Sequence, residues 1–413
     1  MKLSEVLTDR GFVHQITGTS LSEIVDGTPR VAYLGVDPTA DSLHVGNLVI
    51  YMMLRHFVAA GHRVVLLVGG GTGLIGDPKS SEERPLIEKD VVEMRVGKLT
   101  QQVKRLINGD IEVVNNADWL TRISLIDFLR DTGKFFTVNA LIKKEIMQKR
   151  LAAEVPLSYT EFAYPLLQAY DYLHLHQSKS VDLQVGGSDQ WGNITAGVEL
   201  IHKKLGHAVH ALTVPLVIDK VSGKKFGKSE GNAVWLDPEK TSPFSFFQFW
   251  LNTDDANVFD YLKLYTLLSL DKINGLQEKN HAAPHERTAQ YALAHAVTEI
   301  VHGKAQADTC VRVSEILFGN LALSELGELD HEVLLESAPR IQVTLGMFVA
   351  DVLMTAGFAR SKREARQFIL DGAVQLGGIV CKEADAKLEA HSFSNNLVLL
   401  KRGKRLSTLL TLV

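Results

Sequence analysis

The sequence predicts an α/β protein built on a doubly wound parallel sheet, followed by an α-helical segment and a small α+β unit. Three observations carry this. Short apolar runs alternate with helical stretches through the first half, the pattern turns helical beyond Asp237, and the last seventy residues form a compact helix-then-strand unit. At roughly 100 to 200 residues per domain, a chain of 413 residues holds two to four domains. The boundaries expected are 1–235, 236–320, a polar acidic linker at 321–342, and 343–413.

Arg30 to Val36 reads as a buried strand, then a loop and a helix from Leu43 to Ala60. His62 to Val68, Ile111 to Val114 and Val181 to Val185 are the next strands. Open parallel sheets bind ligands beyond the carboxyl ends of their strands, so the residues after Val36, Val68 and Val185 are where chemistry is sought.

Composition narrows the class. Hydrophobic residues at 46% and charged residues at 22% are globular values that exclude a disordered or fibrous chain. Apolar runs such as Val64 to Val68 fall far short of the ~20 residues that span a bilayer, and the N-terminus lacks a secretory pattern, so a cytoplasmic protein without membrane attachment is expected. Cys310 and Cys381 stand alone, which argues against a disulfide framework and a cysteine-based metal site. Residues 341–413 carry ten Lys or Arg against six Asp or Glu, a balance of +4 that leaves −8 on the rest of a chain whose total is −4. A basic module on an acidic body suits a polyanionic partner at one end; charge alone fits an ordinary solvated surface equally.

The first strand runs into Asp37-Pro38-Thr39-Ala40-Asp41-Ser42-Leu43-His44-Val45-Gly46-Asn47, which puts His44 and Asn47 at a helix start with Ser42 as its expected cap. Free N–H groups and the helix dipole there favour phosphate. The second strand ends in Gly69-Gly70-Gly71-Thr72-Gly73-Leu74-Ile75-Gly76-Asp77-Pro78. Gly71, Gly73 and Gly76 match a dinucleotide fingerprint, so a nicotinamide-dependent oxidoreductase competes; Pro78 argues for a glycine-lined turn presenting Asp77 instead of a helix facing a pyrophosphate.

From Phe162 to Leu175 the chain is nearly all apolar, with Tyr164, Gln168 and Asp171 on one helical face, the helix either starting near Pro165 or kinked by it. A buried Asp needs partners. A bound phenol and ammonium would supply them, as would the protein's own backbone. Gly186-Gly187-Ser188-Asp189-Gln190-Trp191-Gly192-Asn193 repeats the glycine turn, and Lys224-Lys225-Phe226-Gly227-Lys228-Ser229 is a lysine loop one residue short of a Walker spacing, suited to neutralising phosphate charge as it develops.

Together these segments resemble class I aminoacyl-tRNA synthetases. His44-Val45-Gly46-Asn47 is similar to the family's HIGH motif and Lys225-Phe226-Gly227-Lys228-Ser229 to its KMSKS motif. Tyr33 to Gly46, Thr160-Glu161-Phe162 with Tyr164, Gln168 and Asp171, and the Gly186 to Asn193 turn resemble the tyrosine-specific branch over the whole chain. The resemblance implies a Rossmann-like catalytic domain, a helical anticodon-binding domain and a C-terminal S4-like RNA-binding domain. In the last, Arg360, Lys362, Arg363 and Arg366 would contact RNA.

It further implies that Tyr33 and Asp171 bond the substrate phenol while Asp77, Tyr164 and Gln168 hold its ammonium. Asp37, Gly187, Asp189 and Gln190 would surround the amino acid and the ATP ribose. Gly46 would let the nucleotide approach the helix start, and Thr39, His44, Asn47, Lys225, Lys228, Ser229 and Arg84 would handle the triphosphate, with Lys79 the nearest lysine in a shortened loop. Implied partners are L-tyrosine, ATP with Mg2+, tRNA for tyrosine and a second copy of the chain, with no tightly held protein metal. Asn47 in place of the motif's second histidine and Leu34 near the ribose depart from the pattern. A non-catalytic S4-type RNA-binding relative is the alternative.

Overall fold

The computed structural model describes residues 1–413 apart from Thr19, Ser80, Ser81, Glu83, Asp110, Glu230, Gly231, Asn320, Lys404 and Arg405, and apart from the side chains of Lys228, Ser229 and Asn232. The chain forms two compact units, one of Met1–Lys240 with Asp254–Ala283, the other of Thr241–Thr253 with Pro284–Val413. The chain therefore leaves the first unit near the expected boundary at 235 and returns for thirty residues.

The first unit is organised by a sheet of β1 (Gln15–Ile16), β2 (Val31–Val36), β3 (Arg63–Val68), β4 (Ile111–Asn115), β5 (Leu183–Gly187) and β6 (His210–Val214). Their order is β1-β6-β5-β2-β3-β4. All neighbours run parallel except β1, which pairs antiparallel with β6. Continuous apolar runs such as Val64 to Val68 suit parallel strands covered on both faces. Tyr33, Val65 and Leu67 pack against Ala169, Tyr172 and Leu173 of one covering helix and Ala196 and Leu200 of another. The chain winds from β2 through β3 to β4 in one direction and places β5 and β6 on the other side of β2. The crevice therefore opens between the ends of β2 and β5, where a doubly wound sheet reverses.

One local expectation gives way and another is narrowed. Helix Val45–Ala59 is capped by His44, not Ser42: His44 Nδ1 accepts from the Gly46 N–H at 3.0 Å, and Asn47 Oδ1 accepts from the His44 N–H at 3.1 Å. Ser42 is held elsewhere, because its hydroxyl accepts from Gln102 Nε2 at 3.0 Å and donates to the Leu43 carbonyl at 2.8 Å. The helix over the apolar stretch runs unbroken through Pro165 as Tyr159–Lys179.

In the second unit, helices Pro243–Leu251, Thr288–His302 and Lys304–Phe318 pack together. The stretch 321–342, expected as a linker, contains helix Glu328–Ser337 and begins strand β9 (Arg340–Val343). Its acidity is put to structural use, since buried Asp330 accepts from Arg312 Nη2 at 2.6 Å and Nε at 2.8 Å. Strand β9 joins β10 (Val374–Leu376), β11 (Ile379–Val380), β12 (Leu397–Arg402) and β13 (Leu406–Leu412) in the order β11-β10-β12-β13-β9. Helices Val349–Thr355 and Lys362–Leu370 close a core on Leu353, Ile369, Val398 and Leu410. Among the described residues no helix is long and apolar enough to cross a membrane.

One buried ion pair ties the loop after Pro78 to the helical region behind it. Arg150, with no exposed side-chain surface, donates to Glu161 Oε2 at 2.9 Å, to the carbonyls of Lys79 and Glu82 at 2.7 and 2.8 Å, and to that of Pro156. Removing one partner of such a pair costs about 3–5 kcal/mol, because the other is left charged and buried. Arg150→Met is expected to lower unfolding stability by that amount in a denaturant titration, and Arg150→Met with Glu161→Gln to recover part of it.

Candidate active site

A cavity of about 650 Å³ opens where β2 and β5 end. Tyr33 stands on β2 beside Gln184 of β5, the residue opposite it in register, and Gln184 Nε2 donates to the Tyr33 hydroxyl at 2.9 Å. Opposite, the helix Tyr159–Lys179 presents Tyr164, Gln168 and Asp171 to the same cavity, at the spacing that puts them on one face. The sequence-derived residues Asp37, Thr39, His44, Gly46, Asn47, Asp77, Arg84, Gly187, Asp189, Gln190 and Lys225 line it too.

Of the four carboxylates that line this space Asp189 is exposed, and each of the other three is met by donors. Asp171 accepts from Trp119 Nε1 at 2.7 Å and Asn116 Nδ2 at 2.9 Å. Asp37 accepts from Thr72 Oγ1 and from the Tyr164 hydroxyl, both at 2.7 Å. Asp77 accepts from Gln190 Nε2 at 2.8 Å and Asn193 Nδ2 at 3.0 Å. Asn116 Nδ2 also donates to Thr72 Oγ1 at 2.9 Å, so Asp37 and Asp171 belong to one network. Burial nonetheless dominates: it pushes the Asp171 carboxyl up to about 7 and that of Asp77 up to about 6, with Asp37 adding repulsion to both, and it raises Asp37 itself. Such a cavity favours a ligand that brings hydrogen-bond donors and a positive charge.

The other wall is built for the opposite charge. The first turn of helix Val45–Ala59 meets the lysine loop backbone to backbone, which the sequence allows by placing glycine on both sides. A Cβ on Gly46 would lie 2.8 Å from the His44 ring and 3.1 Å from the Phe226 carbonyl; one on Gly227, at φ +79°, would lie 2.6 Å from Val45. The Val45 N–H donates to the Val234 carbonyl at 2.9 Å and the His44 ring packs edge-on to Trp235. Lys225 reaches the cavity. Lys228 and Ser229 form the short strand β7, paired with β8 (Asn232–Ala233); their side chains lie outside the described residues. Lys79 does not line the cavity and pairs with Glu82 at 2.9 Å.

Sequence reading missed the donors that satisfy the carboxylates, Thr72, Asn116, Trp119 and Asn193, and it missed Gln184, which donates to Tyr33. It also missed Lys144, which donates to the Gly192 carbonyl at the start of helix Trp191–Leu205 and is pushed down to about 8 by burial. Thr72 and Asn193 had a visible signal, since they sit in the Gly69 to Pro78 and Gly186 to Asn193 turns. Among the described residues no group of three His, Cys, Asp or Glu is gathered as a metal site. In the second unit, Arg360, Lys362, Arg363 and Arg366 are exposed around the start of helix Lys362–Leu370, with Lys362 paired to Asp351 at 2.7 Å and Arg366 to Asp385 at 3.1 Å.

The family described as "tRNA synthetases class I (W and Y)" matches residues 26–319, and a "Tyrosine--tRNA ligase SYY-like C-terminal domain" matches residues 330–410. A "Tyrosine--tRNA ligase" of Lactococcus lactis subsp. lactis is 45% identical over 421 residues, covering 100% of both chains. One of Streptococcus mutans is 45% identical over 422 residues with the same coverage. Among solved structures, a C-terminally truncated mitochondrial tyrosyl-tRNA synthetase of Aspergillus nidulans superposes with a TM-score of 0.68 at 30% identity, covering 75% of this chain and 92% of its own.

Proposed function

The chain belongs to the tryptophan and tyrosine branch of the class I tRNA synthetases and ligates tyrosine to tRNA at the expense of ATP, and from that premise we propose how its residues divide the work. The observation that supports the division is the convergence, in one cavity, of the desolvated carboxylates of Asp37, Asp77 and Asp171 on one side and a glycine-packed helix start with a lysine loop on the other.

The amino acid lies with its ring between β2 and helix Tyr159–Lys179. Gln184 donates to the Tyr33 oxygen, which leaves the Tyr33 O–H free to donate to the substrate phenol, while Asp171 accepts the phenol's proton. Asp77, Tyr164 and Gln168 hold the ammonium at the mouth, with Gln190 steadying Asp77. Asp37, Gly187 and Asp189 border the join of amino acid and ribose. Thr39, His44, Asn47, Arg84, Lys225, Lys228 and Ser229 serve the triphosphate at the helix start, and Gly46 admits it.

One tyrosine carboxylate oxygen attacks the α-phosphorus in line; the bond to the bridging oxygen breaks and pyrophosphate leaves with the electron pair. The terminal ribose hydroxyl of tRNA then attacks the acyl carbon and AMP departs. No protein nucleophile takes part, so positioning and electrostatic stabilisation carry the rate. Magnesium arrives with ATP, and no resident ion site is assigned. The second unit binds tRNA: the helical segment reads the anticodon region, and Arg360, Lys362, Arg363 and Arg366 meet the RNA backbone as an S4-like module. Apolar residues exposed between Leu125 and Tyr159, including Ile126, Val138 and Leu151, form the face of a homodimer. The work is cytoplasmic.

Tyrosine-dependent exchange of labelled pyrophosphate into ATP tests this reading. The wild type exchanges; Asp171→Ala loses tyrosine affinity by about 10²-fold as Asn116 and Trp119 lose their acceptor, whereas Lys228→Ala slows adenylate formation by about 10²-fold or more at unchanged tyrosine affinity. Absence of exchange, or equal loss of both quantities in Lys228→Ala, overturns it.

Tyrosine affinity is also expected to depend on pH. A bound ammonium favours the ionised form of Asp77, raised to about 6, and the phenol's donation favours that of Asp171, raised to about 7, so binding at pH 6 releases protons and affinity weakens as pH falls from about 7 through about 6. Calorimetry in buffers of different ionisation enthalpy, at pH 6 and pH 8, measures that release, which should largely vanish at the higher pH.

A further inference from the structure

Resting on the reading that the lysine loop serves the triphosphate, we propose that Asn257 is a positioning residue that latches this loop in its working place. The loop grows from a hairpin, Val217 to Phe226, closed by Phe226 N–H to the Val217 carbonyl at 2.9 Å and Asp219 N–H to the Lys224 carbonyl at 3.0 Å. Asp219 shapes the turn itself, its Oδ1 accepting from the N–H groups of Val221 at 3.0 Å and Ser222 at 2.6 Å. Its other oxygen is spent elsewhere.

Asn257 projects from helix Asp255–Tyr265, far along the chain, and is 1% exposed. Its amide spends both functions on the hairpin: Nδ2 donates to Asp219 Oδ2 at 3.1 Å and Oδ1 accepts from the Lys220 N–H at 3.0 Å. A buried amide with both ends engaged fixes orientation as well as distance. Around it the same helix grips the hairpin twice more. Lys220 pairs with Asp260 at 2.6 Å, and the Phe226 ring packs on those of Tyr261 and Tyr265 at centroid distances of 4.4 and 5.5 Å.

The next residue is Gly227, whose backbone abuts Val45 and Gly46, and strand β7 with Lys228 follows at once. The hairpin is thus held by Asn257 on one side and meets the phosphate-binding helix start on the other. The helix that holds it is anchored in turn, because Arg10 Nη1 donates to the carbonyls of Lys263 and Thr266, each at 2.9 Å, at that helix's C-terminal end. Asn257 acts on ATP only through the loop, so its loss should fall on the nucleotide and spare the amino acid.

The test exchanges the two roles. Asn257→Asp sets a carboxylate against Asp219, while Asn257→Asp with Asp219→Asn restores an amide donor facing a carboxylate, with the turn still supplied with an acceptor. In full-length enzyme assayed by pyrophosphate exchange, Asn257→Asp is expected to lower kcat/KM for ATP by about tenfold or more, with KM for tyrosine within about twofold of wild type, and the exchanged pair to recover most of the loss. A single variant as active as wild type, a loss shared equally by tyrosine, or a failure of the pair to recover overturns the latch. Lack of exchange in the wild type would instead strike the underlying reading.

Discussion

The constraint on which the structure turns is the cost of keeping Asp37, Asp77 and Asp171 out of water within one cavity. Each ionised carboxylate loses hydration there, and each repels the others. The fold meets part of that cost with side-chain donors from distant segments: Thr72 and Asn116 after β3 and β4, Trp119 one turn further on, Gln190 and Asn193 at the helix after β5. On the proposed function, what remains unmet is met by the substrate. Raised carboxyl pKa values are the sign of that unmet cost.

The doubly wound sheet explains why these groups meet at all. Register places Tyr33 beside Gln184, and the reversal of winding between β2 and β5 leaves a crevice that a parallel sheet wound in one direction would fill. The wall proposed for the triphosphate is made differently, by close backbone approach. Gly46 and Gly227 let a helix start and a loop from the other end of the domain meet closely, so the first turn of the helix and Lys225 border one volume.

Much of this was legible in the sequence, for a physical reason. Turns at strand ends and residues on one helical face follow local periodicity, so Tyr164, Gln168, Asp171 and the two glycine turns could be placed from the sequence, whereas Tyr33 came from the family resemblance alone. Asn116, Trp119 and Gln184 could not, because their roles exist only across contacts of fifty or more residues that periodicity does not encode. His44 displaced Ser42 as cap because Gln102, remote in sequence, claims the serine hydroxyl. The acidic stretch at 321–342 read as linker because Arg312, the partner of Asp330, lies outside it.

The central claim is that the pocket is satisfied only by a phenol. Comparison of kcat/KM for tyrosine and for phenylalanine in pyrophosphate exchange tests it most directly. Tyrosine-activating synthetases are themselves the reference example of this effect, so its size, roughly 10⁴ to 10⁵ in favour of tyrosine, is carried over from them. A preference of that order, collapsing in Asp171→Ala, is the result the account predicts; a preference below about tenfold would contradict it.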